Sequence, residues 1–230
     1  MEDPEKLLLV RNYNLWSQVN EDEYKALNVV DNYKEAREGQ YIYFEAFNYN
    51  MIHFVKKGYI RLGYLDDNGN KVTKEILKRG DIFGQIILEK NDLNGEFAQA
   101  IKSDVSFCSF TVDNFKNLLK SRPELAIRYS KLVGLRLRRF ENRLVNILQN
   151  DVKTRLLHFF EQLAQEQPAG LPIPGQAARI PNVLTHEEIA HLIGASRQSV
   201  TTQMNELKHE GVLDYNRKEI RMLRLTNQQG

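Results

Sequence analysis

Pro123 opens a run, ending near Gln149, that holds no further proline and only one glycine, Gly134. Proline is tolerated in the first turn of a helix and breaks its interior, so the run predicts one unbroken helix. Val133, Leu137, Phe140, Leu144 and Ile147 recur along it at steps of four, three, four and three, the a/d seam of helices packed side by side. Arg136, Arg138, Arg139, Glu141 and Arg143 occupy the other faces. Such a stripe also suits a helix lying on its own domain, and spacing alone does not separate the two readings. Length does. Roughly 27 residues at 1.5 Å each make about 40 Å, more than a small domain needs. We therefore expect a dimer seam at these five positions.

Upstream, from about Tyr33 to Phe110, the texture is that of short strands. "YIYFEA", "HFVKKGYIRLGYL", "KVTKEIL" and "VSFCSF" are rich in β-branched and aromatic residues and partly alternate. Glu38-Gly39, Asp66-Asp67-Asn68-Gly69-Asn70 and Arg79-Gly80-Asp81 mark the turns between them. Short, evenly spaced strands with glycine-bearing turns predict a small antiparallel roll or barrel rather than βαβ units. The preceding "NEDEYKALNVV" suits a short flanking helix.

Downstream of the long helix, Asp151 offers an N-cap for "VKTRLLHFFEQLAQEQ", with Leu156, Leu157, Phe160 and Leu163 on one face. The restart makes Asn150-Asp151 a candidate hinge. "PAGLPIPGQAARIP" then reads as a loop. In "THEE", Thr185 and Glu188 have the spacing of a capping box. Ile189 and Ile193 share a face beside the small Ala190, and Gly194 suits a left-handed helix end. Ser196 caps a second helix whose buried stripe is Val200, Met204 and Leu207. Two short helices joined by a tight glycine turn are the geometry of a helix-turn-helix. "VLDYNRKEIRMLRL" reads as two strands around Asn216-Arg217-Lys218-Glu219, a wing against the helices.

Opposite that stripe, Arg197, Gln198, Thr201 and Thr202 sit near the start of the second helix. Side chains on the first turn of such a helix reach base edges in the major groove. Arginine matches guanine O6 and N7, and glutamine matches adenine N6 and N7. Ser196 and Ser199, with the helix's leading amides, suit a phosphate. An arginine and a glutamine on a polar helix face also suit plain solvent exposure. The capping box, turn glycine, apolar stripe and hairpin together favour the groove.

Bulk charge does not decide the matter. The 230 residues carry a net charge of +2, and from Asp151 onward nine basic and nine acidic residues cancel. Any claim on DNA must rest on where particular side chains point. No run approaches the roughly 18 apolar residues that would span a bilayer. "MEDPEKLLLVRNYN" is too acidic and its apolar stretch too short for a signal peptide, so we expect a cytoplasmic protein. Cys108 stands alone, short of any disulfide, zinc or iron–sulfur set. There is no Walker loop, no histidine pair spaced for a metal and no nucleophile motif. We expect no enzyme and no metal site.

The order of parts resembles the Crp-Fnr family of bacterial transcription regulators, the cyclic-AMP receptor proteins and their relatives. "FVKKGYIRL" and "KRGDIFGQ" in the roll, "NDVKTRLLHFFEQLA" at the hinge and "THEEIAHLIGASRQSVTTQMNEL" in the reader carry the likeness over nearly the whole chain. The last of these is the most specific. The resemblance implies an α+β chain with three parts. An antiparallel β-roll (cupin-like, of the cyclic-nucleotide-binding type) takes residues 1–122, a dimerisation helix 123–150, and a winged helix-turn-helix 151–230. It implies a homodimer on two-fold-symmetric double-stranded operators, with RNA polymerase as a partner and effector binding between roll and long helix as the switch. Carried over by position, Arg197, Gln198 and Thr202 read bases, while Thr185, Ser196 and Ser199 hold phosphates. Gln198 and Thr202 stand where the cyclic-AMP branch usually has glutamate and arginine. A glutamate accepts from cytosine, whereas a glutamine both donates and accepts, so the operator need not be the familiar one.

The effector pocket implied by the resemblance comprises Gly84, Gln85, Ile86, Glu96, Phe97 and Ala98 of the roll, with Phe140 and Glu141 of the long helix. Cyclic-AMP binders place a glutamate at the position of Gln85 to hold the ribose, and an arginine and a serine at those of Glu96 and Phe97 to hold the phosphate. A carboxylate and a phenyl ring there repel a phosphate or leave it unpaired, which argues against cyclic AMP. Phe140 and Glu141 replace small hydroxyl residues, and Phe140 also belongs to the seam. The cysteine cluster of the oxygen-sensing branch is missing from the sequence. A haem would need an axial pair, for which His53 with Met51 is a weak candidate beside the reading of His53 as a core histidine. Cys108 reads as a core thiol. No cofactor is assigned, and the small-molecule effector is left open. A second reading keeps the roll as sensor and has the C-terminal domain dock a protein instead of DNA.

Overall fold

Long strands with few interruptions build the first half of the chain. The computed structural model describes residues 33–44, 49–89, 95–165 and 177–223. β1 (Tyr33–Ala36), β2 (Tyr41–Phe44), β3 (Met51–Leu65), β4 (Lys71–Leu77), β5 (Ile82–Gly84) and β6 (Glu96–Thr111) form one antiparallel sheet. Its spine is the pair β3–β6, running from Met51 opposite Thr111 to Tyr64 opposite Glu96. β1 and β2 pair with β6, while β4 and β5 pair with β3. Bulges between Val55 and Tyr59 interrupt the β3–β6 register and let so long a ribbon curl. The curl encloses Val55, Ile60, Leu62, Leu77, Phe83, Ala98, Ala100, Val105 and Phe107 as one buried core.

The expected roll is present and longer-stranded than its sequence signals. "VSFCSF" is the end of a 16-residue strand that starts at Glu96. A helix not foreseen in the sequence, α1 (Val112–Ser121), follows directly, its first turn capped by Thr111 accepting from the Asn114 amide. The helix expected over "NEDEYKALNVV" lies outside the described residues. α1 and the start of α2 (Pro123–Gln149) lay Phe115, Leu118, Leu125 and Tyr129 onto Ile52, Phe54, Ile82, Cys108 and Phe110.

The chain divides into two compact units, Met1–Arg138 and Arg139–Gly230, so the boundary falls inside α2. In the second unit α3 (Val152–Gln165), α4 (His186–Ile193) and α5 (Arg197–His209) surround a core of Leu156, Phe160, Ile189, Ile193, Val200, Met204 and Leu207. Its sheet has three strands, β7 (Ala178–Pro181), β9 (Glu219–Met222) and β8 (Leu213–Tyr215), in that order. β7 corrects the sequence reading of "PAGLPIPGQAARIP" as loop throughout. Proline is tolerated on an edge strand, and β7 is the edge that pairs Ala178 with Met222 and Pro181 with Glu219.

Candidate functional site

Thr185 caps α4 as the sequence predicts: its hydroxyl accepts from the Glu188 amide, and the Glu188 carboxylate accepts from the Thr185 amide at 2.7 Å. Gly194 ends the helix at φ 66°, ψ 50°, a left-handed turn that suits glycine. A side chain here would also be crowded, because a Cβ would lie 3.3 Å from Ile147 and 3.4 Å from the Arg155 guanidinium. Ser196 then caps α5, accepting from the Ser199 amide at 3.0 Å and lying 2.8 Å from the Ser199 hydroxyl. Val200, Met204 and Leu207 are buried beneath the helix.

Arg197, Gln198 and Thr202 belong to the first two turns of α5. These three, with Thr185 and Ser196, are exposed, while Ser199 and Thr201 are half-buried. The Thr201 hydroxyl has partners within the protein. It donates to the Arg197 carbonyl at 2.9 Å and lies 2.9 Å from Nδ1 of His186. The contact with His186 braces α4 against α5. Partial burial, and then the positive charge of Arg197, lower the pKa of His186, so its imidazole is neutral at neutral pH.

The wing folds back through Asn216, whose side-chain oxygen accepts from the amides of Lys218 and Glu219. Arg217 and Lys218 are exposed at its tip. Asp214 takes both Lys208 of α5 and Arg221 of β9 at 2.8 Å, tying the wing to the second helix. The Tyr215 hydroxyl donates to Asn205 at 3.0 Å.

At the expected hinge, Asp151 accepts from the Thr154 amide at 2.8 Å and caps α3. That bond holds its carboxyl below the usual carboxylate range. The Asn146 side-chain oxygen accepts from the Asn150 side-chain NH2 at 2.6 Å and lies 3.0 Å from Nδ1 of His158, so side chains brace the bend from both helices. Sequence reading missed two further residues. Arg143 donates to the His191 carbonyl at 2.8 Å. Arg155 donates to those of Ile193 and Gly194, also at 2.8 Å. Their partners lie 48 and 38 residues away, and no local pattern could reveal them.

The seam residues do not share one environment. Leu137 and Leu144 are 58% and 59% exposed. Val133 packs against the core beneath α1 instead. Phe140 is half-buried, Glu141 is exposed, and Ile147 meets Gly194. Ile127, Val145 and Leu148, which the sequence reading left out, are 71%, 49% and 74% exposed. Stepping at 100° per residue brings Ile127, Leu137, Leu144, Val145 and Leu148 within one half of the helix surface. Of the five expected seam residues Leu137, Leu144 and Ile147 are exposed, while Val133 and Phe140 are half-buried.

In the roll, Gly84 sits at φ 82° with the Met51 carbonyl 2.5 Å from where its Cβ would be, so only glycine fits. Gln85 is buried, and its amide donates to that same carbonyl at 2.9 Å. The Ile86 carbonyl accepts from the Tyr129 hydroxyl. Glu96 accepts from the Tyr43 hydroxyl at 2.8 Å and from Lys74 at 2.9 Å. Burial and then Glu96 push the Tyr43 hydroxyl well above its ordinary pKa. Phe97 and Ala98 are fully buried, with Phe97 against Tyr41 and Phe44.

His53 has both ring nitrogens engaged, Nε2 with Tyr49 at 2.5 Å and Nδ1 with Ser109 at 2.7 Å. Burial lowers its pKa to about 3. It is a neutral core histidine with neither nitrogen turned to a ligand. Cys108 is buried beside Phe54 and Phe110, and burial raises its thiol pKa. Among the described residues no group of three or more His, Cys, Asp or Glu could hold a metal, and no helix is long and apolar enough to cross a membrane.

Two family models match the chain. The model of the cyclic nucleotide-binding domain matches residues 33–122, and that of the Crp-like helix-turn-helix domain matches residues 154–227. A CRP-like cAMP-activated global transcriptional regulator of Mycobacterium tuberculosis is 28% identical over 162 residues, 70% of each chain. The global nitrogen regulator of a Synechocystis strain is 24% identical over 180 residues, 78% of this chain and 79% of its own. Among solved structures, a CooA mutant from Carboxydothermus hydrogenoformans superposes with a TM-score of 0.73 at 26% identity, covering 94% of both chains. A sensor-type roll, a long helix and a capped winged helix-turn-helix in this order place the chain in the Crp-Fnr family of transcription regulators.

Proposed function

We propose that the protein is a cytoplasmic homodimer that binds two-fold-symmetric operators in double-stranded DNA and regulates transcription together with RNA polymerase. Arg197, Gln198 and Thr202 read bases from the first turns of α5. Thr185, Ser196 and Ser199 hold flanking phosphates, and the exposed apolar face of α2 joins the two protomers. The observation that carries this reading is the outward aim of Arg197 and Gln198 from a helix capped by Ser196 and anchored on Val200, Met204 and Leu207. An arginine and a glutamine so placed match the two commonest bidentate base contacts.

The effector acts on the roll and is not cyclic AMP. The M. tuberculosis relative is cAMP-activated, but the residues at the phosphate end do not suit that ligand here. Glu96 brings a carboxylate already bonded to Tyr43 and Lys74, and Phe97 is buried against aromatic rings. A phosphate there would meet negative charge with no arginine from either position.

The test is selection of duplexes from a random DNA pool by the purified protein at moderate salt. An enriched sequence with two-fold symmetry is the expected result. No enrichment, with or without candidate effectors, overturns the reading. Titration with cyclic AMP is expected to leave the affinity for the enriched duplex unchanged.

A further inference from the structure

The turn between α4 and α5 sets the aim of Arg197, and its carbonyls are held by groups outside the helix-turn-helix. A helix ends with four carbonyls lacking partners within it. At the end of α4 the Ala190 carbonyl is taken by the amides of Gly194 and Ala195. The His191 carbonyl takes Arg143, and those of Ile193 and Gly194 share one nitrogen of Arg155. Both guanidiniums lie at the negative end of the helix dipole, where a positive charge is favoured. Ile147 closes the remaining side of Gly194.

Arg143 and Arg155 stand on opposite sides of the Asn150–Asp151 bend, one on α2 and the other on α3. Both hold the same turn. We infer that Arg143 and Arg155 are positioning residues for base reading. Through the carbonyls of His191, Ile193 and Gly194 they fix the orientation of the Ser196 cap, and so of Arg197 and Gln198 on the first turn of α5. Neither touches DNA itself. With both clamps closed, the bend, α3 and the turn move as one piece, and a displacement at the end of α2 reaches Arg197 directly. The inference rests on the reading of α5 as the base-contacting helix.

The role separates from a DNA contact and from mere stability by three readouts on the full-length protein. These are affinity for the duplex enriched by the wild-type protein, affinity for an unrelated duplex of equal length, and the salt slope of each. Arg155→Met and Arg143→Met are each expected to weaken binding to the enriched duplex by roughly tenfold or more, the scale of one spoiled base contact. Binding to the unrelated duplex should change by less than about twofold, with the salt slope as in the wild type. Equal weakening on both duplexes, or no weakening on either, overturns the inference. So does a salt slope reduced by about one, because that marks a lost phosphate contact. Arg143→Met tests the claim if Arg155→Met fails to fold. Failure of both to fold would assign the pair to stability alone. A wild-type protein that enriches no sequence would instead overturn the DNA reading itself, before either variant is made.

Discussion

Arg136 of α2 reaches Glu75 of β4, one nitrogen 2.5 Å from the carboxylate and the other donating to the Ile82 carbonyl at 2.6 Å. The arginine is buried although it belongs to a helix whose neighbouring positions are exposed. With Tyr129 bonded to the Ile86 carbonyl, it makes two polar ties from this helix to the segment 82–86. That segment carries Gly84, Gln85 and Ile86. The roll thus holds its helix through the stretch at which the resemblance places the effector.

The Arg136–Glu75 pair is expected to be energetically coupled. Charges so close and largely out of water interact more strongly than surface pairs, and removing one partner of a buried pair costs about 3–5 kcal/mol. Urea unfolding of Glu75→Gln, Arg136→Met and the double variant closes a mutant cycle. We expect each single change to destabilise by about 3 kcal/mol and the coupling to exceed about 1 kcal/mol. Additivity within about 0.5 kcal/mol would deny any direct interaction.

Arg197→Ala should abolish discrimination at its base pair while leaving the fold intact, since the side chain is exposed. The loss on a matched duplex is expected at about 1–3 kcal/mol, against little change on a duplex already altered at that pair. Competition binding with single-base variants of the enriched duplex measures it. Thr201→Val should instead loosen the contact of α4 with α5, weakening all duplexes alike.

The exposed apolar residues of α2 make their own prediction. Leu144→Glu with Leu148→Glu, or Leu137→Glu with Leu144→Glu, should give folded monomers by sedimentation, because both pairs lie on the exposed side of α2. Val133→Glu should destabilise the first unit, because its side chain packs into that core. Dimers persisting in both double variants would move the interface elsewhere.

Acid should weaken the roll through His53. Its pKa falls from 6.5 to about 3 on folding, so between those values the unfolded chain binds a proton that the folded chain refuses. The stability from keeping the ring neutral is whole above pH 6.5 and declines as pH falls toward 3, by about 1.4 kcal/mol per pH unit. Urea midpoints from pH 7 to pH 5 should fall less in His53→Gln than in the wild type. Parallel slopes would refute the assignment.

What the sequence determined by itself was whatever depends on neighbours in the chain. Alternating strands, the proline-free helix, the Thr185–Glu188 box, the Gly194 turn and the Ser196 cap all follow from contacts within a few residues, which local patterns encode. Tertiary structure decided what depends on partners far away. β7 forms because β9 offers it an edge. Thr201 is half-buried because His186 lies across from it, and Val133 is half-buried because it packs on the core beneath α1. Arg143 and Arg155 acquire meaning only when the end of α4 folds against them. A helical stripe shows which residues share a face, but only the packed chain shows which part of that face its own core has already covered.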